Sequence, residues 1–266
     1  MRMTRQERRA ESKGDSALPT SGGEGKARAP QVPSITAVQM TEVDRRVVRT
    51  YGITLLQMME LAGRNLAEQA QEMLGGSVLG RSIVVLCGTG NNGGGGMVAA
   101  RHLHGWGAEV EAALTGPSAK LKAVPKRQWR ILQRLGLSAS AGWDRDSLRP
   151  DVILDAIFGY GFRGRPPPGT ARWIEWANKQ TCPVLALDLP SGLDATSGVP
   201  APTCIRAAAT LTLALPKTGL RAPDAAGYVG ELFLADIGVP PEVFGDLGLE
   251  VGNWFDKGPR VRLEER

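Results

Sequence analysis

Two aspartates at the ends of apolar runs are the groups in this chain best placed for acid–base or cation chemistry. Asp155 lies in Asp151-Val152-Ile153-Leu154-Asp155-Ala156-Ile157-Phe158, and Asp188 follows Leu185-Ala186-Leu187. A carboxylate in such surroundings is costly to bury unless it is paired or holds a cation. A third group is the amide pair of Gly88-Thr89-Gly90-Asn91-Asn92-Gly93-Gly94-Gly95-Gly96. Its side chains offer oxygens and N–H donors, and its glycines let the backbone approach a ligand closely. A second glycine segment, Gly159-Tyr160-Gly161-Phe162-Arg163-Gly164-Arg165, follows the Asp155 run. Each Asp alone fits a loop cap as well as a site. The whole set, delivered by three apolar runs, reads as one crevice.

The elements that must position these groups are strands and helices in alternation. Ile83 to Cys87 reads as a buried strand, and Met97, Val98, Ala100, Arg101 and Leu103 carry helical periodicity from close to Gly96. Strand, glycine turn and helix form the first unit of a doubly wound sheet, whose ligands bind beyond the carboxyl ends of the strands. A helix start there offers unpaired N–H groups suited to phosphate. Further strands read at 108–114, Asp151 to Phe158, Pro183 to Leu187, Ala209 to Leu215 and Gly230 to Ala235, with helices between the first four. Pro125 falls near the start of one helix; Trp173, Ile174 and Trp176 belong to another. This alternation predicts a parallel sheet covered on both faces. Asp155, Asp188, Asn91 and Asn92 then share one sheet edge.

Two familiar readings of the first glycine segment fail. Gly88-x-Gly90-x-x-Gly93 matches the dinucleotide fingerprint, which also needs an acid at the end of the second strand. That strand ends in Leu114-Thr115-Gly116, and Glu109 and Glu111 fall near its start. The Gly-Lys-Ser/Thr ending of a nucleotide-hydrolase loop is missing too.

Residues 1–33 hold Arg, Lys, Glu, Ser, Gly and Pro with almost no large apolar side chain. They read as a disordered tail, unable to bury enough surface to offset their ordering entropy, and they lack the apolar centre of a secretory signal. Two helices precede the first strand. One is capped by Ser34 or Thr36, runs to about Arg49 and has Val38, Met40, Val43 and Val47 as its inner stripe. The other spans Thr54 to Leu74. The ordered domain is read as 34–250, with 251–266 as a C-terminal tail.

Composition excludes some classes. No apolar run approaches the ~20 residues of a membrane span. The formal charge of +5 is spread along the 266 residues and does not argue for nucleic acid. Cys87, Cys182 and Cys204 sit in apolar or strand-like contexts and read as buried thiols in a reducing compartment. A cytoplasmic location follows, with an organelle left open. His102 and His104 are two apart on a helix and point to different faces, which suits solvent better than a shared metal.

The segments at 88–96, Asp155-Ala156-Ile157-Phe158-Gly159 and Asp188-Leu189-Pro190-Ser191-Gly192-Leu193-Asp194 resemble the NAD(P)H-hydrate epimerase family, the YjeF N-terminal-type domain. So do Met59-Glu60-Leu61-Ala62-Gly63, Ala99 to Leu103 and Pro216-Lys217-Thr218-Gly219-Leu220. The likeness covers roughly residues 34–245 in the family's order. It implies a three-layer αβα Rossmann-like sandwich with a mostly parallel central sheet, usually dimeric. It also implies an isomerase that interconverts the R and S epimers of hydrated NADH and NADPH, a metabolite-repair reaction.

The resemblance assigns roles residue by residue. Asn91, Asn92, Gly93, Gly94 and Gly95, with Gly159, Tyr160, Gly161, Phe162, Arg163, Gly164 and Arg165, match its substrate-binding segments. Asn92, Asp155 and Ser191 match positions around a potassium ion, with Arg163 and Arg165 as competing partners for Asp155. Asp188 matches the carboxylate that touches substrate and does acid–base work. No His or Lys stands beside it in the motif, so it reads as a lone catalytic carboxylate. One departure is Gly95, where the family usually has Asp, a residue that would cap the helix start and bind the ligand. The alternative reading is therefore a catalytically inactive ligand-binding or scaffold module of the same fold. The kinase-like dehydratase domain often fused to this one is not in the chain, so a separate NAD(P)H-hydrate dehydratase is the expected functional partner.

Overall fold

A computed structural model of the chain describes residues 32–138 and 147–264. Of the expected 1–33 tail, residues 1–31 lie outside the described residues. Order is already present at Val32, which is buried and accepts a hydrogen bond from Arg221 Nη1 at 2.9 Å.

The sheet contains β1 (Ser82–Cys87), β2 (Glu109–Leu114), β3 (Val152–Ala156), β4 (Val184–Leu187), β5 (Ala209–Leu213), β6 (Glu231–Ala235) and β7 (Arg260–Arg262), in the order β2-β1-β3-β4-β5-β6-β7. The pairings from β2 to β6 are parallel, and β7 pairs antiparallel with β6. The expectation of a tail from residue 251 is corrected here. Arg260-Val261-Arg262-Leu263 alternates polar and apolar, Leu263 is buried, and Arg260 reaches Glu68 at 2.5 Å. Four alternating residues are too short a signal until the open edge of β6 completes their hydrogen bonds.

Successive strand residues face opposite sides, and the core divides accordingly. Ile83, Val85, Cys87, Leu154 and Leu185 pack with α2 (Leu55–Met73), α3 (Asn91–Gly105) and α4 (Ala123–Arg134). Val84, Leu86 and Ile153 face α5 (Pro168–Asn178) through Ile174, Trp176 and Ala177. These three layers match the expected sandwich. A third apolar cluster joins α1 (Ala37–Arg49) to Leu215, Leu220 and Leu234 near β5 and β6. Thr36 and Thr54 cap α1 and α2 in reciprocal capping boxes with Gln39 and Gln57. The inner stripe of α1 is Ala37, Met40, Val43 and Val47; Val38 is 76% exposed, contrary to expectation. With the helix starting at Ala37, position 38 lies one step round from that stripe.

The largest departure is where α3 begins. It starts at Asn91, with Gly90 as N-cap, not near Gly96. Gly93 to Gly96 are therefore helical, and none has positive φ. Glycine in a helix costs about 1 kcal/mol relative to alanine. Here it makes room. A Cβ on Gly96 would lie 2.4 Å from Ala156 Cβ, and one on Gly94 would lie 2.5 Å from Met59 Sδ. The helix is pressed into the sheet and α2 more closely than side chains allow.

Candidate active site

The strand order reverses at β1, with β2 on one side and β3 on the other. Chains leaving β1 and β3 diverge there, which opens a crevice at the strand ends. A cavity of about 700 Å³ occupies it. Thr89 to Asn92 follow β1, Ile157 to Arg163 follow β3, and Asp188 follows β4; α1 and α2 supply Met40, Asp44, Met58 and Met59. The start of α3 faces this space and has no side-chain cap. Its first N–H groups remain available to an anion.

Asp188 has φ 69°, in the left-handed region that Asp tolerates better than most residues. This backbone turns the carboxylate back into the cavity. Tyr160 N donates to Oδ2 at 2.9 Å, and Lys217 Nζ forms a salt bridge with Oδ1. The lone-carboxylate reading is thereby corrected. Lys217 is fully buried, and its Nζ also donates to the Leu213 carbonyl at 2.8 Å. It lies 29 residues from Asp188 in sequence. Only the return of the chain past β5 brings the two together. A lysine as the single charged residue between Leu211 and Leu220 was the available signal.

Asp155 is fully buried, and both Arg163 and Arg165 leave it alone. Arg163 Nη1 donates to the Tyr160 and Phe162 carbonyls at 3.0 and 2.6 Å. Asp155 Oδ1 accepts from Ser191 Oγ at 2.6 Å and Ile157 N at 3.2 Å; Oδ2 accepts from Ser191 N at 2.7 Å. Ser191 Oγ accepts in turn from Phe158 N at 2.9 Å. These bonds tie the exits of β3 and β4 together. Burial raises the Asp155 carboxyl to about 6, against the pull of its three donors. Among the described residues no cationic side chain pairs with it. Asn92 donates from Nδ2 to the Leu187 carbonyl at 3.1 Å, with its Oδ1 close to Gly159. A buried carboxylate without a counter-charge, a hydroxyl oxygen and an amide oxygen are hard donors, which suit a hard cation rather than a softer metal, although of the three residues only Asn92 lines the cavity. No cluster of His, Cys, Asp and Glu suited to a metal occurs among the described residues.

The other expected site residues divide. Asn91, Asn92, Gly95, Gly159, Tyr160, Gly161, Phe162, Arg163 and Arg165 line the cavity. Gly93, Gly94 and Gly164 do not. A Cβ on Gly93 would lie 1.9 Å from the Gly88 carbonyl oxygen, so its role is to let the loop fold on itself. Gly159 does border the chemistry, since a Cβ there would be 2.9 Å from Asp188 Oδ2. Exposed Lys122, Arg163 and Arg165 make the mouth positive, and Asp44, Asp188 and Lys217 lie inside. His102 bonds Glu60 at 3.0 Å on the α2–α3 surface, away from this cavity. A cavity with a cationic mouth, an open helix start and a buried Asp–Lys pair can hold a phosphate-bearing ligand and move protons on its inner end.

Comparisons with known proteins give the following. A family profile described as YjeF-related protein N-terminus matches residues 55–219. An NAD(P)H-hydrate epimerase of Dehalogenimonas lykanthroporepellens is 42% identical over 93% of this chain and 98% of its own. One from Nitrosopumilus maritimus is 35% identical over 78% and 96%. A bifunctional NAD(P)H-hydrate repair enzyme of Moorella thermoacetica is 38% identical over 79% of this chain, which spans 41% of that protein. A yeast protein of known crystal structure superposes with a TM-score of 0.75 at 24% identity, over 87% of this chain and 100% of that one, and so shares the fold.

Proposed function

The chain belongs to the family of YjeF-related N-terminal domains, and on that footing we propose that it is an isomerase, an NAD(P)H-hydrate epimerase acting on the R and S forms of hydrated NADH and NADPH. The observation that carries this reading is the Asp188–Lys217 pair, set inside a cavity whose mouth is positive. The dinucleotide's phosphates match Lys122, Arg163, Arg165 and the open start of α3. The hydrated ring then reaches the inner end. Epimerisation proceeds either by loss of the hydroxyl and return of water on the other face or by opening and closing of the ring, and either route needs a proton donor and acceptor beside that carbon. Asp188 is the group in position to exchange that proton, with Lys217 fixing its orientation.

We assign Asn92, Asp155 and Ser191 to a potassium ion. A bound cation there would offset the Asp155 charge and order the crossing of the β3 and β4 exits, without redox chemistry. A homodimer and a separate dehydratase acting on one epimer complete the reading. Among the described residues no helix is long and apolar enough to cross a membrane.

The inactive-module alternative rested on Gly95. Its place is the second turn of α3, beyond reach of the helix cap, so the missing Asp does not remove a capping group; Gly95 does line the cavity, so what the absence of the Asp removes is a ligand contact. A coupled assay tests the proposal. Mixed epimers of hydrated NADH are given to a dehydratase specific for one of them, with and without this protein. Complete consumption is expected with it; persistence of half the substrate in both samples refutes the epimerase.

A further inference from the structure

Tyr160 stands between two carboxylates of the cavity. Its backbone N–H donates to Asp188 Oδ2 at 2.9 Å, and its hydroxyl donates to Asp44 Oδ2 at 2.5 Å. Lys217 Nζ lies 5.9 Å from the centroid of its ring. Asp44 comes from α1, a wall that the sheet does not build, yet it lines the same cavity as Asp188, Tyr160 and Lys217. The other acidic and basic side chains of that part of α1 turn away: Glu42 bonds Arg45 and Arg46, and Arg46 reaches Asp246. Asp44 alone among them points inward.

Exchange of a hydroxyl between two faces of one ring carbon needs proton transfer on both faces. A single fixed carboxylate reaches one. We propose that Asp44, acting through the Tyr160 hydroxyl, is the second proton station of this site, serving the ring face opposite to that served by Asp188. This rests on the epimerase reading and on its hydroxyl-exchange route. In one direction the Asp188–Lys217 pair gives a proton to the leaving hydroxyl. The C–O bond breaks with its electron pair on oxygen, and the ring nitrogen shares its lone pair with the carbon left behind. Water then bonds that carbon from the other face. One of its protons passes to the Tyr160 oxygen, and the Tyr160 proton passes to Asp44. The reverse reaction makes and breaks the same bonds with the two stations exchanged. Tyr160 can take this part because its own proton is already donated to Asp44, which leaves its oxygen as an acceptor in a residue that lines the cavity. Tyr160 is the group that would touch substrate; Asp44 is a positioning residue that receives the relayed proton.

Asp44→Asn separates this role from a structural one. The amide oxygen still accepts from Tyr160, so a purely structural tie survives. A relay loses its terminal base, and kcat should fall by at least ~10²-fold with KM little changed. The pH profile gives a second readout. Burial raises the Asp44 carboxyl above its ordinary range, and the charged or titratable groups facing it are Tyr160, Lys217 and Asp188. Asp44 must be ionised to accept a proton, so wild-type kcat/KM should fall as pH drops through that raised value, and Asp44→Asn should lack this limb. Tyr160→Phe removes only the hydroxyl and should lose kcat likewise. Wild-type kcat in either variant, or an unchanged acidic limb in Asp44→Asn, overturns the relay while leaving the epimerase intact. An inactive wild-type protein in the same assay overturns both.

Discussion

Replacing Asp188 by Asn should damage the fold as well as the chemistry, by an amount the Lys217 contact sets. Lys217 is fully buried and Asp188 nearly so. Breaking a buried ion pair by neutralising one partner typically costs about 3–5 kcal/mol, because the other charge is left without compensation. Backbone strain does not add to this, since Asn accepts the φ of 69° as readily as Asp. For a domain of this length each kcal/mol lowers Tm by about 2–4 °C. Asp188→Asn should therefore melt roughly 6–20 °C below wild type. Lys217→Met should fall in the same range, since it leaves the carboxylate buried alone. The double variant removes both charges and should recover part of the loss, with a coupling of about 0.5–3 kcal/mol. Epimerase activity, measured well below the lowered Tm, should be down at least ~10²-fold in all three. Thermal unfolding followed by circular dichroism, beside the coupled assay, reads both quantities. A wild-type Tm for Asp188→Asn, or strict additivity in the double variant, would refute the buried-pair reading.

The glycines of α3 give a test with opposite signs in one helix. Gly96→Ala gains about 1 kcal/mol of helix propensity but drives a Cβ against Ala156, so a net loss of about 1–3 kcal/mol is expected; Gly105→Ala, with open space around it, should be neutral or stabilising, and denaturant midpoints decide. Asp155 gives a cation and pH dependence. Its folded value of about 6 lies above the ordinary 3.8, so the folded state holds this proton more tightly. In buffer with only bulky organic cations, stability should be greatest below pH 4 on this group's account and fall by roughly 3 kcal/mol as pH rises through 6. Potassium should restore Tm above pH 6 and have little effect at pH 4, and Asp155→Asn should abolish the difference. Equal melting curves in potassium and tetramethylammonium chloride at pH 8 would remove the cation from Asp155.

The sequence by itself determined the layered sheet and its polar edge. Unbroken apolar runs such as Ile83 to Cys87 and Val152 to Leu154 are legible because a strand buried on both faces has no solvent-side residues to interrupt it. The placing of Asn92, Asp155 and Asp188 near one edge follows from strand polarity alone. Other features depended on distance in space. The glycines after Gly90 read locally as a flexible turn, and only the nearness of Ala156 and Met59 makes them helical spacers. Lys217 carries only a faint local mark, a single charge between Leu211 and Leu220, and Asp44 carries none. One lies 29 residues beyond Asp188 and the other 116 before Tyr160. Charge pairs of that kind are fixed by packing, since a lysine is stable in a dry interior only where the fold delivers an anion to meet it. Alternation at residues 260–263 likewise became a strand only because β6 offered an unpaired edge. Local propensity and pattern act over a turn or a strand, whereas the inner end of the cavity is assembled from α1, the exits of β3 and β4, and the segment after β5, whose meeting is a property of the tertiary structure.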